Sequence, residues 1–536
     1  MWRSLLAVVI LLSLSSWGKT GQAAEEGAGD QPVRQTTLTV SYTQYEWWVI
    51  RWYDNQIACQ VYIDHEGLPT GEEILTDCGK GVYELWAETS ACPEAEAGDG
   101  DTSLCTGAYL FFIGSRQAEK TITVDLPQPT VTLTLEGCTP TTPQTLCSQI
   151  PSLLLIGEEP LPNEHITAIH AIYNNTTINC PGDSCAIQLE PTSKEGTTIE
   201  FWADSSFGDT SEHFTARVRV IDTGVSREPG ASGWYVDIIS SQWQGSQTAS
   251  CAQTWQAFPP IGGPPAWLST PEVPELLATE TPYYFLAGKL ISRGLVDGSE
   301  CPAGGLLSNG YADACGLEKA LPLVQEWQNQ FDARIVEVAK DTGVPGQLMK
   351  NLFAQESQFW PGVFTSTDHI GLGHLTDNGA EVLLLWNPTF FNQFCPLVLE
   401  SGICQRGYVR LNSEEQALLR GALAMQAESE CTDCPAGIDL TNANFSIQLF
   451  AETLLANCEQ VGQIVYNASK QTPGVVSDYE NLWRFTLANY HAGPGCLSYA
   501  IYSAYSKRDP LTWDNVSKYF TQPCQGVIGY VDKVAH

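Results

Sequence analysis

Eighteen cysteines constrain this chain more than any other feature, because they fall in groups that each domain must close within itself or stitch to a neighbour. Four lie in the first group, Cys59, Cys78, Cys92 and Cys105. Four more follow, Cys138, Cys147, Cys180 and Cys185, and the other ten run from Cys251 to Cys524. The amino terminus says how to read them. Met1-Trp2-Arg3 is a basic start, residues 5–14 are apolar but for Ser13, and Gly21-Gln22-Ala23 sets small residues at a cleavage position, which predicts a signal peptide over residues 1–24. In an exported chain such cysteines are disulfides rather than catalytic thiols. Cys431 and Cys434 have the spacing of a zinc half-site, but neither a second close pair nor a histidine pair follows, so no metal and no cofactor is expected.

At 536 residues the chain exceeds what one core can organise. From residue 36 to 125 short strand-like runs alternate with turn residues, which predicts a β-sandwich over residues 25–128. Pro127 and Pro129 interrupt it, and a second β-sandwich is expected over 129–222, ending in the alternating run 214–220. Val82-Tyr83-Glu84-Leu85-Trp86-Ala87-Glu88 aligns with Thr198-Ile199-Glu200-Phe201-Trp202-Ala203-Asp204, so the two modules read as an immunoglobulin-like repeat. Trp47, Trp48, Trp52 and Tyr53 are an aromatic cluster that suits core packing better than sugar stacking. Residues 223–233 have linker composition.

The rest, 234–536, is expected to be one mainly α domain. A boundary near Ala320 would leave odd numbers of cysteines on both sides. At least one of Cys251, Cys301 and Cys315 should therefore bridge past that point. Helices are read over residues 283–293, 323–341, 380–386, 414–428, 443–469, 478–490 and 496–505, with Ser477 and Glu480 as a capping box. A formal charge of −35 argues against nucleic acid as a partner.

One stretch of that domain carries chemistry. Leu348, Met349, Leu352 and Phe353 form an apolar stripe behind Pro345, and continuing it by helical steps reaches Glu356. A carboxyl placed where a core residue belongs is expected to have a raised pKa, which suits an acid that gives up a proton and takes it back. The alternative is an edge position with Glu356 paired to a base such as Lys350.

Three motifs around it resemble a family, the lytic transglycosylases of the soluble type, over roughly residues 339–500. Glu356-Ser357-Gln358-Phe359-Trp360-Pro361 is similar to the family's Glu-Ser-x-Phe-x-Pro. Gly371-Leu372-Gly373-His374 stands at the family's spacing where Gly-Leu-Met-Gln is usual, and Ala488-Asn489-Tyr490-His491-Ala492-Gly493-Pro494-Gly495 is similar to Ala-x-Tyr-Asn-Ala-Gly-x-Gly. The resemblance implies a goose-lysozyme-like α fold and Glu356 as the acid and base. It also implies that Ser357, Phe359, Gly371, Leu372, His374, Tyr490 and His491 contact a sugar. Its implied substrate is peptidoglycan, cleaved between N-acetylmuramic acid and N-acetylglucosamine with a 1,6-anhydro product. The β modules would then space the enzyme in the envelope or meet other envelope proteins. His374 and His491 replace amides of the family, and Asp368-His369 replaces Gly-Ala. An extra carboxylate at Asp368 that positions a water would make the enzyme a hydrolase, of muramidase or chitinase type. An inactive glycan-binding adhesin is the third reading, and the oligomeric state stays open.

Overall fold

The computed structural model describes residues 33–90, 105–138, 146–223, 233–244, 250–261, 263–361 and 370–536. The expected signal peptide, most of the expected linker and the pair Asp368-His369 lie outside the described residues. β-sheets occupy the amino-terminal part and helices the carboxy-terminal part, in two compact units.

The first unit runs to Gln128 and includes Phe207–Asp209. Its sheet has the order β2-β1-β3, with β1 Gln35–Arg51, β2 Ile57–Ile63 and β3 Ala108–Asp125. Helix α1, Gly71–Ala87, packs on it. Thr70 caps α1 in a reciprocal capping box with Glu73 and starts the helix, Ile74 enters the core with Val49, Val61 and Ile63, and Cys59–Cys78 fastens helix to sheet. Two expectations fail here. Residues 82–87 are the second half of α1 rather than a strand, so the match to 198–204 joins a helix to a strand and is not a repeat. One sheet with a helix replaces the expected first sandwich.

The second unit opens with two sheets that share one core. One has the order β5-β12-β11-β10-β7-β8 and the other β4-β6-β9. These strands are β4 Thr130–Glu136, β5 Leu146–Cys147, β6 Ser152–Glu158, β7 Ile166–Tyr173, β8 Thr176–Pro181, β9 Ser184–Gln188, β10 Thr197–Ser205, β11 Phe214–Asp222 and β12 Trp234–Ile239. Alternation along them sends Leu133, Leu153 and Leu155 from one sheet against Ile169, Phe201 and Val218 from the other. The boundary expected before Trp234 is wrong. β12 pairs with β11 from Trp234↔Asp222 to Ile239↔Arg217 and completes the sheet.

In the second unit the described helices begin at Ser250. The short helix Ser250–Trp255 is bolted to the thirty-residue helix Leu440–Ser469 by Cys251–Cys458, and the Trp255 indole N–H donates to the Cys458 carbonyl at 3.0 Å. This bridge passes Ala320, as the odd cysteine counts required. Cys301–Cys315, Cys395–Cys404, Cys431–Cys434 and Cys496–Cys524 close the other pairs, and among the described residues no cysteine is free. Such bridges belong to an oxidising, extracytoplasmic setting. Among the described residues no helix is long and apolar enough to cross a membrane.

Three expected helices divide differently. The run 323–341 is two helices, Ala314–Asn329 and Asp332–Thr342, while 478–490 and 496–505 are one, Tyr479–Ser506, kinked at Gly493 with φ 81° ahead of Pro494. Its cap is Asp478, which accepts from the Asn481 N–H at 2.8 Å; the Ser477 hydroxyl donates to the Leu511 carbonyl instead.

Candidate active site

The helix Gly346–Glu356 buries Leu348, Met349, Leu352 and Phe353 and ends at the carboxyl of interest. What ends it is an unusual turn: Gln358 (φ 49°) and Phe359 (φ 61°) are both left-handed without being glycine. That conformation costs about 1–3 kcal/mol per residue and persists only where the surroundings impose it. Here they do. The Gln358 side-chain oxygen accepts from the Phe285 and Leu286 N–H groups at 2.9 and 3.2 Å, capping the helix Tyr284–Ser292. Trp327 donates to the Phe359 carbonyl at 2.9 Å, and the Phe359 ring lies among Phe331, Phe353 and Tyr283.

Glu356 is thereby held at a fixed point with its side chain 15% exposed. Tyr530, from the last helix Gly526–Val534, donates its hydroxyl to Oε1. His374 brings Nδ1 to 3.4 Å from Oε2. Burial first, and then the Glu356 charge, push both the Tyr530 and Tyr490 phenols well above their ordinary range, so each stays a donor. His491 stacks on Tyr530 with centroids 3.9 Å apart, and burial lowers its pKa against the opposing pull of Glu356, keeping the imidazole neutral at neutral pH.

The loop opposite is equally constrained. Ile370 and Leu375 exchange backbone hydrogen bonds of 3.2 and 2.8 Å around Gly371 (φ 72°) and His374 (φ 49°). The Tyr490 hydroxyl donates to the Gly373 carbonyl at 2.5 Å, while Phe450 meets Tyr490 edge-on at 5.5 Å. A Cβ on Gly373 would stand 2.0 Å from Cδ2 of Phe450. Gly373→Ala is therefore expected to lower stability by about 1–3 kcal/mol through overpacking, read by thermal unfolding. Gly402→Ala, whose Cβ would meet nothing within 4 Å, serves as control. Equal melting temperatures for the two variants would contradict this packing.

The structure gathers Glu356, His374, Tyr490 and His491 in one place, with Gly371 in the turn that carries His374, and it reassigns three others. Ser357, Phe359 and Leu372 are each 0% exposed and cannot touch a ligand. The Ser357 hydroxyl donates to the Phe353 carbonyl, and the Leu372 N–H donates to the Ser446 hydroxyl, so these residues shape the site from behind. Lys350 does not pair with Glu356. Its Nζ sits 2.5 Å from Asp332 Oδ1 in the core. Tyr530 is not singled out by its sequence, because a tyrosine in step with Val527, Val531 and Val534 reads as stripe.

Among the described residues no group of three or more His, Cys, Asp or Glu side chains could hold a metal, and Cys431 and Cys434 are bonded to each other. No protein-family model matches the chain, and no curated protein gives a significant match.

Proposed function

We propose that the chain is an extracytoplasmic lytic transglycosylase of the soluble type acting on peptidoglycan. In this reading its helical part is a goose-lysozyme-like domain and its two-sheet module is immunoglobulin-like. The observation that carries it is Glu356, a mostly buried carboxyl gripped by the Tyr530 hydroxyl on Oε1 and faced by His374 on Oε2.

The chemistry needs one such group. Protonated Glu356 gives its proton to the glycosidic oxygen between N-acetylmuramic acid and N-acetylglucosamine, and the C1–O bond breaks. The muramyl 6-hydroxyl then adds to C1, and its proton passes to Glu356, which closes the cycle without consuming water. Because Tyr530 occupies Oε1, the travelling proton belongs on Oε2. Tyr490 supports the sugar-side loop through the Gly373 carbonyl, and neutral His491 fixes the Tyr530 ring by stacking.

Product chemistry tests the proposal. Purified sacculi digested with the full chain should release muropeptides whose muramyl end is anhydro, lighter by one water than the hydrolysed sugar in the mass spectrum. Reducing muramyl ends would identify a muramidase instead. No release of soluble fragments would leave a glycan-binding protein and overturn the enzymatic reading.

A further inference from the structure

In the first unit, β1 and β3 run on well past the end of β2. The β1–β2 ladder starts at Tyr45↔Ile63, whereas β1 and β3 stay paired from Gln44↔Arg116 down to Gln35↔Asp125. Ten residue pairs at about 3.4 Å per residue make a two-stranded ribbon roughly 30 Å long. Among the described residues it is exposed on both faces. Thr37, Leu38, Thr39, Val40 and Ser41 are exposed in succession, and Leu38, Val40 and Ile122 keep 40%, 42% and 39% of their surface in water. A ribbon of two strands is marginal by itself, and among the described residues no further strand pairs with either outer edge, so each offers a row of backbone donors and acceptors.

The two edges are not alike. β3 carries Glu119 and Lys120 in its exposed stretch, the kind of charge that keeps an edge from pairing, while Arg116 turns across the sheet to Gln44 and the Tyr62 ring. β1 has no charged residue and no proline between Gln35 and Gln44. In a chain with a formal charge of −35, copies repel one another, and an uncharged edge is where two of them can meet.

We infer that this β1 edge is a homodimer interface, formed by antiparallel pairing of β1 with β1 of a second copy about a two-fold axis at Thr39. That register is self-complementary. Leu38 of each copy faces Val40 of the other, Thr37 faces Ser41, Thr36 faces Tyr42 and Gln35 faces Thr43. Residues that face each other share a side of the sheet, so Leu38, Val40 and Ile122 of both copies merge into one apolar strip. The pairing also fits the space, because it ends at Thr43, just short of Tyr45, where β2 takes over the edge. The result is a four-stranded sheet in which only the charged β3 edges remain open.

Sedimentation velocity of the full chain at micromolar concentration reads the outcome. Wild type should sediment as a dimer. Thr39→Lys sets two ammonium groups against each other on the axis and should give monomer. Thr121→Lys, on the residue paired with Thr39 across the ribbon, should leave the dimer intact. An equimolar mixture of Thr39→Lys and Thr39→Glu should recover it. A monomeric wild type, a dimeric Thr39→Lys, or dissociation by Thr121→Lys would each overturn the inference.

Discussion

Under the proposed transglycosylase mechanism, Glu356→Gln should lower muropeptide release by about 10²-fold or more while the variant stays folded. The amide keeps the shape of the carboxyl and still accepts from Tyr530, so the contacts that fix the site survive. It has no proton to give to the leaving oxygen and no basic oxygen to take one from the muramyl hydroxyl. Folding is the easier half of the expectation, since a neutral amide is cheaper to bury than a carboxylate. Circular dichroism and thermal unfolding should match wild type. Activity near the wild-type level in a folded Glu356→Gln variant would remove Glu356 from the chemistry and leave the proposed mechanism without its acid.

The second large effect lies beneath the site. Lys350 is 0% exposed, with Nζ against Asp332 Oδ1 and its charge 4.7 Å from the Phe359 ring centroid. It also donates to the Gln328 carbonyl at 3.3 Å and to Asn329 at 3.4 Å, which pins the break between Ala314–Asn329 and Asp332–Thr342. Lys350→Ala strands Asp332 in the core and should cost about 3–5 kcal/mol, a large part of the stability of most domains. Replacing both partners, Lys350→Met with Asp332→Leu, should be close to neutral or stabilising. Urea unfolding measures both, and a double variant as unstable as Lys350→Ala would refute the account.

Acidity gives the same pair a second readout. Burial pushes the Asp332 carboxyl up from 3.8 to about 6, against the pull of Lys350, so in that window the folded chain holds the proton more tightly than the unfolded one. Its contribution is fully present below the unfolded value and is lost as pH rises through about 6. Stability of wild type relative to the double variant should therefore fall between pH 4 and 6.5.

Much of the helical part was legible because its signals are local and periodic. The stripe ending at Glu356 and the thirty-residue core helix follow from apolar spacing, and cysteine parity found the bridge across Ala320. The first β module is harder to read because Val82, Tyr83 and Trp86 are good strand formers, while the helix they belong to is announced only by the Thr70-x-x-Glu73 capping box at its start. Phe359 shows a different limit. Motif resemblance marks it as part of the site, but only packing reveals that its ring is core and that its left-handed backbone is what stops the helix at Glu356. Tyr530 could not be found from periodicity, since nothing in the spacing of its helix says that its hydroxyl meets an acid 174 residues away.

The bridge between Cys251 and Cys458 has a consequence in time as well as in space. The two sulfurs are 207 residues apart, so at roughly 5–20 residues per second a ribosome needs on the order of 10–40 seconds to supply the second after the first. Through that interval Cys251 is a waiting thiol, while Cys301–Cys315, Cys395–Cys404 and Cys431–Cys434, each separated by 14 residues or fewer, can close as they emerge. Early closure of these short loops withdraws the intervening sulfurs from competition and leaves Cys458 as the partner still on offer. A nascent chain arrested before Cys458 should accordingly be alkylated at Cys251, and the helix Ser250–Trp255 should dock only when synthesis is nearly complete.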